Sequence, residues 1–127
     1  GPGENIDEKY GNVIGIWKSK VLKGEPLPIV GDGEQKRDFI HVDDIVDGLI
    51  KISLSSIEHK DAWELGTGVN YSVNELFNLF KERFGVQSIN IPNQSGNYPE
   101  TLRINNDMLD LLKWIPKDRL KQHINSF

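Results

Sequence analysis

One arginine, Arg37, stands where its charge could be used for binding. It lies in the stretch GDGEQKRDFIHVDD, residues 31–44, between a two-glycine turn and an apolar run. The glycines allow a tight turn, and the apolar residues anchor the chain that follows. A guanidinium at such a junction presents a planar set of N–H donors to a phosphate or a carboxylate. The alternative, which the residues alone favour, is a salt bridge to Asp38, Asp43 or Asp44.

Two other patterns suggest chemistry but have simpler interpretations. The turn at residues 66–68, Gly-Thr-Gly, precedes a helix signal, as a dinucleotide-binding loop does, but Tyr71 stands where the third glycine is required. We interpret it as a tight passage into the next helix. The three histidines, His41, His59 and His123, are far apart in the sequence, so we expect no metal site.

The composition limits the class of protein. The chain has 127 residues, of which 37% are hydrophobic and 27% charged, so we expect a single domain, residues 1–127. The formal net charge is -4 and the basic residues are scattered, which argues against a nucleic-acid partner. The absence of cysteine excludes disulfides and cysteine-ligated zinc and is typical of a cytoplasmic protein. No apolar run is long enough to span a membrane.

Hydrophobic spacing predicts an α/β protein in which short strands alternate with about five helices. The first helix covers about 11–23. An edge strand follows at 27–30, because the proline within it lacks the N–H that a central strand needs. A second strand, 37–42, leads into a helix that Asp43 or Asp44 caps.

The second half of the chain contains the clearest helix signal. Ser72 and Glu75 have the spacing of a capping box ahead of an amphipathic run that ends at Gly85. Weaker patterns predict a strand at 63–65, a strand from Val86 to Ile91, a strand at 101–104, a helix that starts at Asn105 or Asn106, and a last helix from about Lys117.

Several spaced motifs resemble one family. The stretch LKGEPLPIVGDGEQKRDFIHVDDIVDGL, residues 22–49, is similar to the C-terminal part of extended short-chain dehydrogenase/reductases, the NAD-dependent nucleotide-sugar epimerases and dehydratases. Gly-Pro-Gly at 1–3 matches the family's Y-G-P-G turn, and WELGTGVNYSVNEL at 63–76 matches a glycine-and-serine block. Trp-Ile-Pro at 114–116 matches the closing L-G-W-x-P. The N-terminal Rossmann half of such enzymes is absent from this chain.

The resemblance implies that this region binds substrate. Arg37 matches the arginine that holds the nucleotide diphosphate. The segment 27–30 matches the edge that holds the base, and the start of the first helix faces the nucleotide. A second family arginine falls at 94–96, where this chain has Gln-Ser-Gly, and Arg103 is the candidate to replace it. The residues expected to bind substrate are Arg37, Pro28, Ile29, Leu27, Asn12, Val13 and Arg103.

The resemblance also implies what this chain lacks. Family members oxidise the sugar transiently at C4 with tightly held NAD and the tyrosine of a Y-x-x-x-K motif. Neither that motif nor a glycine-rich NAD loop occurs here, so we expect no cofactor in this chain and no catalysis by it alone. NAD is implied for the full-length enzyme. The expected partners are a nucleotide-sugar, the missing N-terminal Rossmann half and further copies in a homo-oligomer.

The alternative is a non-catalytic interaction module that keeps the fold and binds a protein partner or itself. If the chain stands alone, we expect apolar surface at the Trp63 strand and on the Phe77 and Phe80 face to be uncovered. Large exposed apolar patches are uncommon in soluble monomers, so such a surface predicts self-association.

Overall fold

A computed structural model describes residues 1–58, 62–93, 99–102 and 106–127. In these ranges the chain forms an α/β structure with five helices, which confirms the predicted class. None of the helices in these ranges has the length and apolar character of a membrane span. In chain order the elements are α1 (Val13–Lys23), β1 (Leu27–Val30), β2 (Lys36–Arg37), α2 (Val42–Leu54), β3 (Tyr71–Ser72), α3 (Val73–Phe84), β4 (Ser88–Ile91), α4 (Asn106–Leu112) and α5 (Leu120–Asn125).

The strands form two small sheets. β1 pairs in parallel with β4, in a register that places Leu27 opposite Ser88. β2 pairs with β3 in antiparallel orientation, with Arg37 opposite Tyr71. A single parallel bridge also joins Lys36 to Glu100 on the other side of β2. The short second sheet therefore holds the backbone around Arg37 from both sides.

The core forms where α1 and α3 pack against β1 and where α5 packs against α3. Trp17 of α1 is 1% exposed, and its ring lies edge-on to Phe80 of α3, with 5.4 Å between the ring centroids. Its indole Nε1 donates a hydrogen bond to the Pro28 carbonyl oxygen over 2.9 Å. Ile124 of α5 is also fully buried. Ring contacts, this hydrogen bond and buried aliphatic side chains thus join all four elements around one cluster.

The predicted ends of α3 are confirmed, but the predicted cap of α2 is not, and the last helix begins at Leu120 rather than near Lys117. Ser72 and Glu75 form both hydrogen bonds of a capping box, and Gly85 ends α3 with a left-handed backbone. The prediction that Asp43 or Asp44 caps α2 is wrong. The cap is His41, whose Nδ1 accepts the Asp43 backbone N–H over 3.2 Å. The two aspartates lie instead in the first turn, where their charges favour the positive end of the helix dipole.

β1 has the predicted bounds, but other predicted strands are shorter than expected or do not join a sheet. β2 ends at Arg37, so the predicted strand 37–42 is wrong beyond its first residue, because the chain turns off to begin α2 at Val42. Residues 63–65 lie outside both sheets. Of the predicted strand 101–104, the described part contributes only the backbone contact beside β2.

The uncovered apolar surface is not where it was expected. Phe80 is fully buried, and Phe77 packs against Trp17 at 6.3 Å between ring centroids, so the expectation for the α3 face is wrong. Five exposed apolar side chains lie instead along α2 at helical spacing, and they are between 45% and 81% exposed. They are Val42, Val46, Leu49, Ile50 and Leu54.

Gly33 and Gly85 allow a matched test of backbone and packing. Both have positive φ, +75° and +65°, but a Cβ on Gly33 would overlap the Asn74 side chain and lie 2.9 Å from Ile29 Cγ2, whereas Gly85 faces open space. We expect Gly85→Ala to lower the free energy of unfolding by about 1–2 kcal/mol, the cost of left-handed backbone. Gly33→Ala should lower it further, because buried Ile29 must shift. Urea unfolding measures both, and equal losses would contradict this account.

Candidate functional site

Arg37 is positioned by backbone hydrogen bonds of its neighbour. The Lys36 N–H donates to the Pro99 carbonyl oxygen over 2.9 Å, and the Lys36 carbonyl oxygen accepts from the Thr101 N–H over 2.9 Å. The opposite side of β2 pairs with β3. Arg37 is half-buried, and its Nη1 donates to the Lys36 carbonyl oxygen over 2.8 Å. The guanidinium therefore extends from a strand whose backbone has little freedom.

Asp38 holds the next part of the chain. Its carboxylate accepts hydrogen bonds from the Thr67 N–H (3.0 Å), the Thr67 hydroxyl (2.6 Å) and the Gly68 N–H (3.1 Å). The turn at residues 66–68 does bind an anion through its amides, as a dinucleotide loop would, but this anion is a side chain of the same protein. Its partner, 29 residues earlier, could not be identified from local spacing.

A cavity of about 580 Å³ brings together three of the residues predicted to bind substrate, Arg37, Asn12 and Val13. The sequence places these residues on two different elements, β2 and the start of α1. The cavity also contains residues that sequence reasoning did not assign to a site. These are Gly1, Glu4, Ile14, Asp38, Phe39, Ile40, His41, Arg119, Leu120 and His123.

The start of α1 supplies a favourable wall for an anion. The first N–H groups of a helix have no acceptor within the helix, and the dipole is positive at that end. Asn12 is the N-cap residue with extended backbone, and its side chain makes no capping hydrogen bond. The first turn contains no acidic residue. Nothing in the turn itself therefore opposes a negatively charged ligand.

The acidic groups around the cavity have partners within the chain. His123 Nε2 lies 3.0 Å from Glu4 Oε1. The His123 ring also meets the His41 ring edge-on, with 5.7 Å between centroids. Both histidine side chains are almost buried. The described residues include no group of three or more His, Asp or Glu side chains that could hold a metal ion.

Among the described residues, Arg119 forms salt bridges with two aspartates of α2. Arg119 Nη2 lies 3.1 Å from Asp44 Oδ1, and Arg119 Nη1 lies 4.0 Å from Asp43 Oδ2. The acids considered as partners for Arg37 thus include two that pair with another arginine. Asp44 and Arg119 are 75 residues apart in the sequence, so the local pattern around Arg37 could not indicate that they pair.

The residues of β1, which were predicted to bind substrate, do not line the Arg37 cavity. Leu27 is fully buried and Ile29 is 3% exposed, so both side chains belong to the core. The Pro28 carbonyl oxygen accepts from Trp17, and the Val30 carbonyl oxygen accepts from Gln35 Nε2 over 3.0 Å. Val30 lines a second cavity of about 370 Å³.

Two sequence predictions concern residues outside those described. Arg103 and residues 94–96 fall there. The replacement of the family's second arginine by Arg103 therefore stays a prediction.

The first half of the chain matches a known family. The model of the NAD dependent epimerase/dehydratase family matches residues 1–66, just over half of the chain. The chain belongs to this family. Over 126 residues it is 36% identical to a family member of Methanocaldococcus jannaschii named "Putative UDP-glucose 4-epimerase", an alignment that covers 96% of this chain and 40% of the relative.

Solved structures of similar proteins share the fold along nearly the whole chain. A UDP-glucose 4-epimerase from Thermotoga maritima, solved with UDP-glucose, has a TM-score of 0.83 and 29% identity over 97% of this chain. A UDP-N-acetylglucosamine 4-epimerase from Methanobrevibacter ruminantium, in complex with UDP-N-acetylmuramic acid, has a TM-score of 0.89 and 26% identity over 98%. In both cases the present chain spans 40% of the solved chain and corresponds to the C-terminal part of that protein.

Alkaline titration tests the contact between Tyr71 and Asp118, which supports β3 and, through it, the paired strand β2. The Tyr71 hydroxyl of β3 donates to the Asp118 carboxylate. Burial, together with Asp118, raises the pKa of Tyr71 to about 12 from its ordinary value of 10.0. Because the folded pKa is the higher one, this contribution to stability is present below pH 10 and is lost as the pH rises through 12.

We expect Asp118→Asn to lower the pKa of Tyr71 towards its ordinary value, because the neighbouring negative charge is gone. Ultraviolet absorbance of tyrosinate against pH measures it, with Tyr71→Phe to assign the transition. A transition at the same pH in the wild-type protein and in Asp118→Asn would contradict the contact.

Proposed function

We propose that this chain is the nucleotide-sugar-binding portion of an NAD-dependent sugar epimerase or dehydratase. One observation carries the proposal: Arg37, Asn12 and Val13 line the same cavity. Its volume, about 580 Å³, is within the range of small-molecule sites. UDP is the first nucleotide to test, because the similar proteins of known structure named above were solved with UDP-linked ligands.

The diphosphate fits the cavity on electrostatic grounds. A guanidinium forms paired, charge-assisted hydrogen bonds with phosphate oxygens, and Arg37 is held by a strand that restricts its backbone. The start of α1 adds N–H donors and the positive end of a helix dipole. The nearest acid in sequence, Asp38, directs its carboxylate to the turn at 66–68. These features together favour an anion at the Arg37 side.

The base belongs, in this proposal, at the end of β1. Of the four residues of this strand, Pro28 and Val30 are the two whose side chains are not buried in the core. Val30 lies on the second cavity, as does Gln35, which is two residues before Arg37. Side chains two residues apart on an extended segment share a face, so base and diphosphate could lie along one surface. Leu27 and Ile29 would then support the strand from the core rather than touch the base with their side chains.

The chemistry belongs to a longer enzyme in this proposal. The chain spans about 40% of the length of the relatives it matches, so NAD binding and the reaction itself are assigned to the remaining part. NAD would supply transient oxidation of the sugar there. The residues of this chain hold the nucleotide end of the substrate. The same proposal places the enzyme in the cytoplasm.

Substitution of Arg37 tests the proposal. We expect Arg37→Ala to raise the dissociation constant for UDP at least about tenfold, because a charge-assisted hydrogen bond is lost. Arg37→Lys should recover only part of the affinity, since an ammonium lacks the planar fork. Lys36→Ala is the matched control, because its exposed side chain is outside the cavity. Isothermal titration calorimetry measures all four proteins, and equal affinities of wild type and Arg37→Ala would remove Arg37 from the site.

A second candidate function, a protein-interaction surface, rests on α2. Five apolar side chains lie along one side of this helix, from Val42 to Leu54, and each is at least 45% exposed. A face of this kind marks an interface rather than open surface. We assign it to the N-terminal part of the longer enzyme, because that part is missing from the chain while its relatives have it.

In the isolated chain this face should cause self-association. We expect a concentration-dependent dimer or higher species in analytical ultracentrifugation, and we expect Leu49→Glu to shift it to monomer because a charge opposes burial. Leu22→Glu is the matched control, since Leu22 is 73% exposed on α1 and outside the face. A wild-type chain that stays monomeric at high concentration would contradict the expected self-association.

A further inference from the structure

Arg119 shares the Arg37 cavity but was not expected there. It immediately precedes α5, and it lines the cavity together with Arg37 and the start of α1. About a third of its side chain, 31%, is exposed. Two arginines thus reach one cavity from elements that are far apart in the sequence. This juxtaposition is the observation on which the inference rests.

The donors of Arg119 are mostly unused. A guanidinium has five N–H groups. Nη2 donates one hydrogen bond, to Asp44 Oδ1 over 3.1 Å, while Nη1 is 4.0 Å from Asp43 Oδ2, beyond hydrogen-bonding distance. Among the described residues, Arg119 Nε is the one buried side-chain nitrogen or oxygen that has no hydrogen-bond partner. Nη1 also has no hydrogen bond but does not belong to this buried class, so it is accessible to solvent. Arg119 therefore retains accessible donors at the cavity.

Asp44 fixes the orientation of this guanidinium. Its side chain is almost buried, and Oδ2 also accepts the Lys117 N–H over 3.3 Å. The Asp44 carbonyl oxygen accepts from Trp114 Nε1 over 2.9 Å. Asp44, a residue of α2, is thus hydrogen-bonded both to the segment before α5 and to a buried tryptophan. An arginine held by such a carboxylate loses less side-chain entropy when it binds a ligand.

We propose that Arg119 is a second phosphate-binding side chain of the Arg37 cavity, with Asp44 as its positioning residue. The proposal rests on the proposed function and names a further residue of the same site. A diphosphate has two phosphate groups, and two arginines from different parts of the chain can each bind one of them. The other acids at the cavity, Glu4 and Asp38, are held by His123 and by the turn at 66–68. Nη1 of Arg119 is the donor that reaches the ligand.

Binding of UDP, inorganic pyrophosphate and uridine by the purified chain tests the proposal. We expect Arg119→Gln to raise the dissociation constant for UDP about tenfold, because a charge-assisted contact is lost. Pyrophosphate should lose affinity in parallel, and uridine, which has no phosphate, should bind as it does to wild type. Arg119→Lys keeps the charge opposite Asp44 and should be weakened severalfold. Lys121→Ala, which removes an exposed charge on α5 outside the cavity, should bind UDP like wild type.

The outcomes separate the inference from the function on which it rests. Circular dichroism and thermal unfolding establish which variants are folded. If wild type binds UDP, Arg37→Ala weakens it and folded Arg119→Gln does not, the inference is overturned and the proposed function stands. Where Arg119→Gln does not fold, wild-type UDP affinity of Arg119→Lys overturns the inference. If wild type binds neither UDP nor pyrophosphate, both are overturned.

Discussion

The hydrogen bond from the Trp17 indole to the Pro28 carbonyl oxygen joins the two elements on which the candidate site depends. Trp17 is almost completely buried, so an unpaired indole N–H there would be costly, and the Pro28 carbonyl satisfies it over 2.9 Å. The bond ties α1 to β1 inside the aromatic cluster formed with α3. Because the start of α1 lines one cavity and the end of β1 lines the other, the packing of one tryptophan sets the relation between them.

The placement of Arg37 follows from polar contacts on either side of it. Lys36 is bonded through its backbone to the 99–101 segment and to β3, and Asp38 is bonded through its side chain to the turn at 66–68. The residue between them has little backbone freedom left. An arginine arranged in this way loses little conformational entropy on binding an anion, which is the physical meaning of a preorganised site.

The family relationship and the geometry support each other at different levels. The chain belongs to the NAD dependent epimerase/dehydratase family, and its fold agrees with solved epimerases over nearly its whole length. Since it spans 40% of those chains, the likeness by itself locates no activity in this part. The anion binding that we propose for this part depends on residues of the chain itself, Arg37, Arg119 and the start of α1, which line one cavity.

The sequence by itself determined the features that depend on neighbours a few residues apart. These include the α/β class, the end of α1, the extent of β1 and the capping box of α3. Only the tertiary structure decided which distant groups meet: Asp38 with Thr67, Asp44 with Arg119, and Phe80 with Trp17 rather than with solvent. The reason is physical. Caps and periodicity act within one or two helical turns, whereas these contacts join groups 29 to 75 residues apart, and which of them form depends on how the whole core packs.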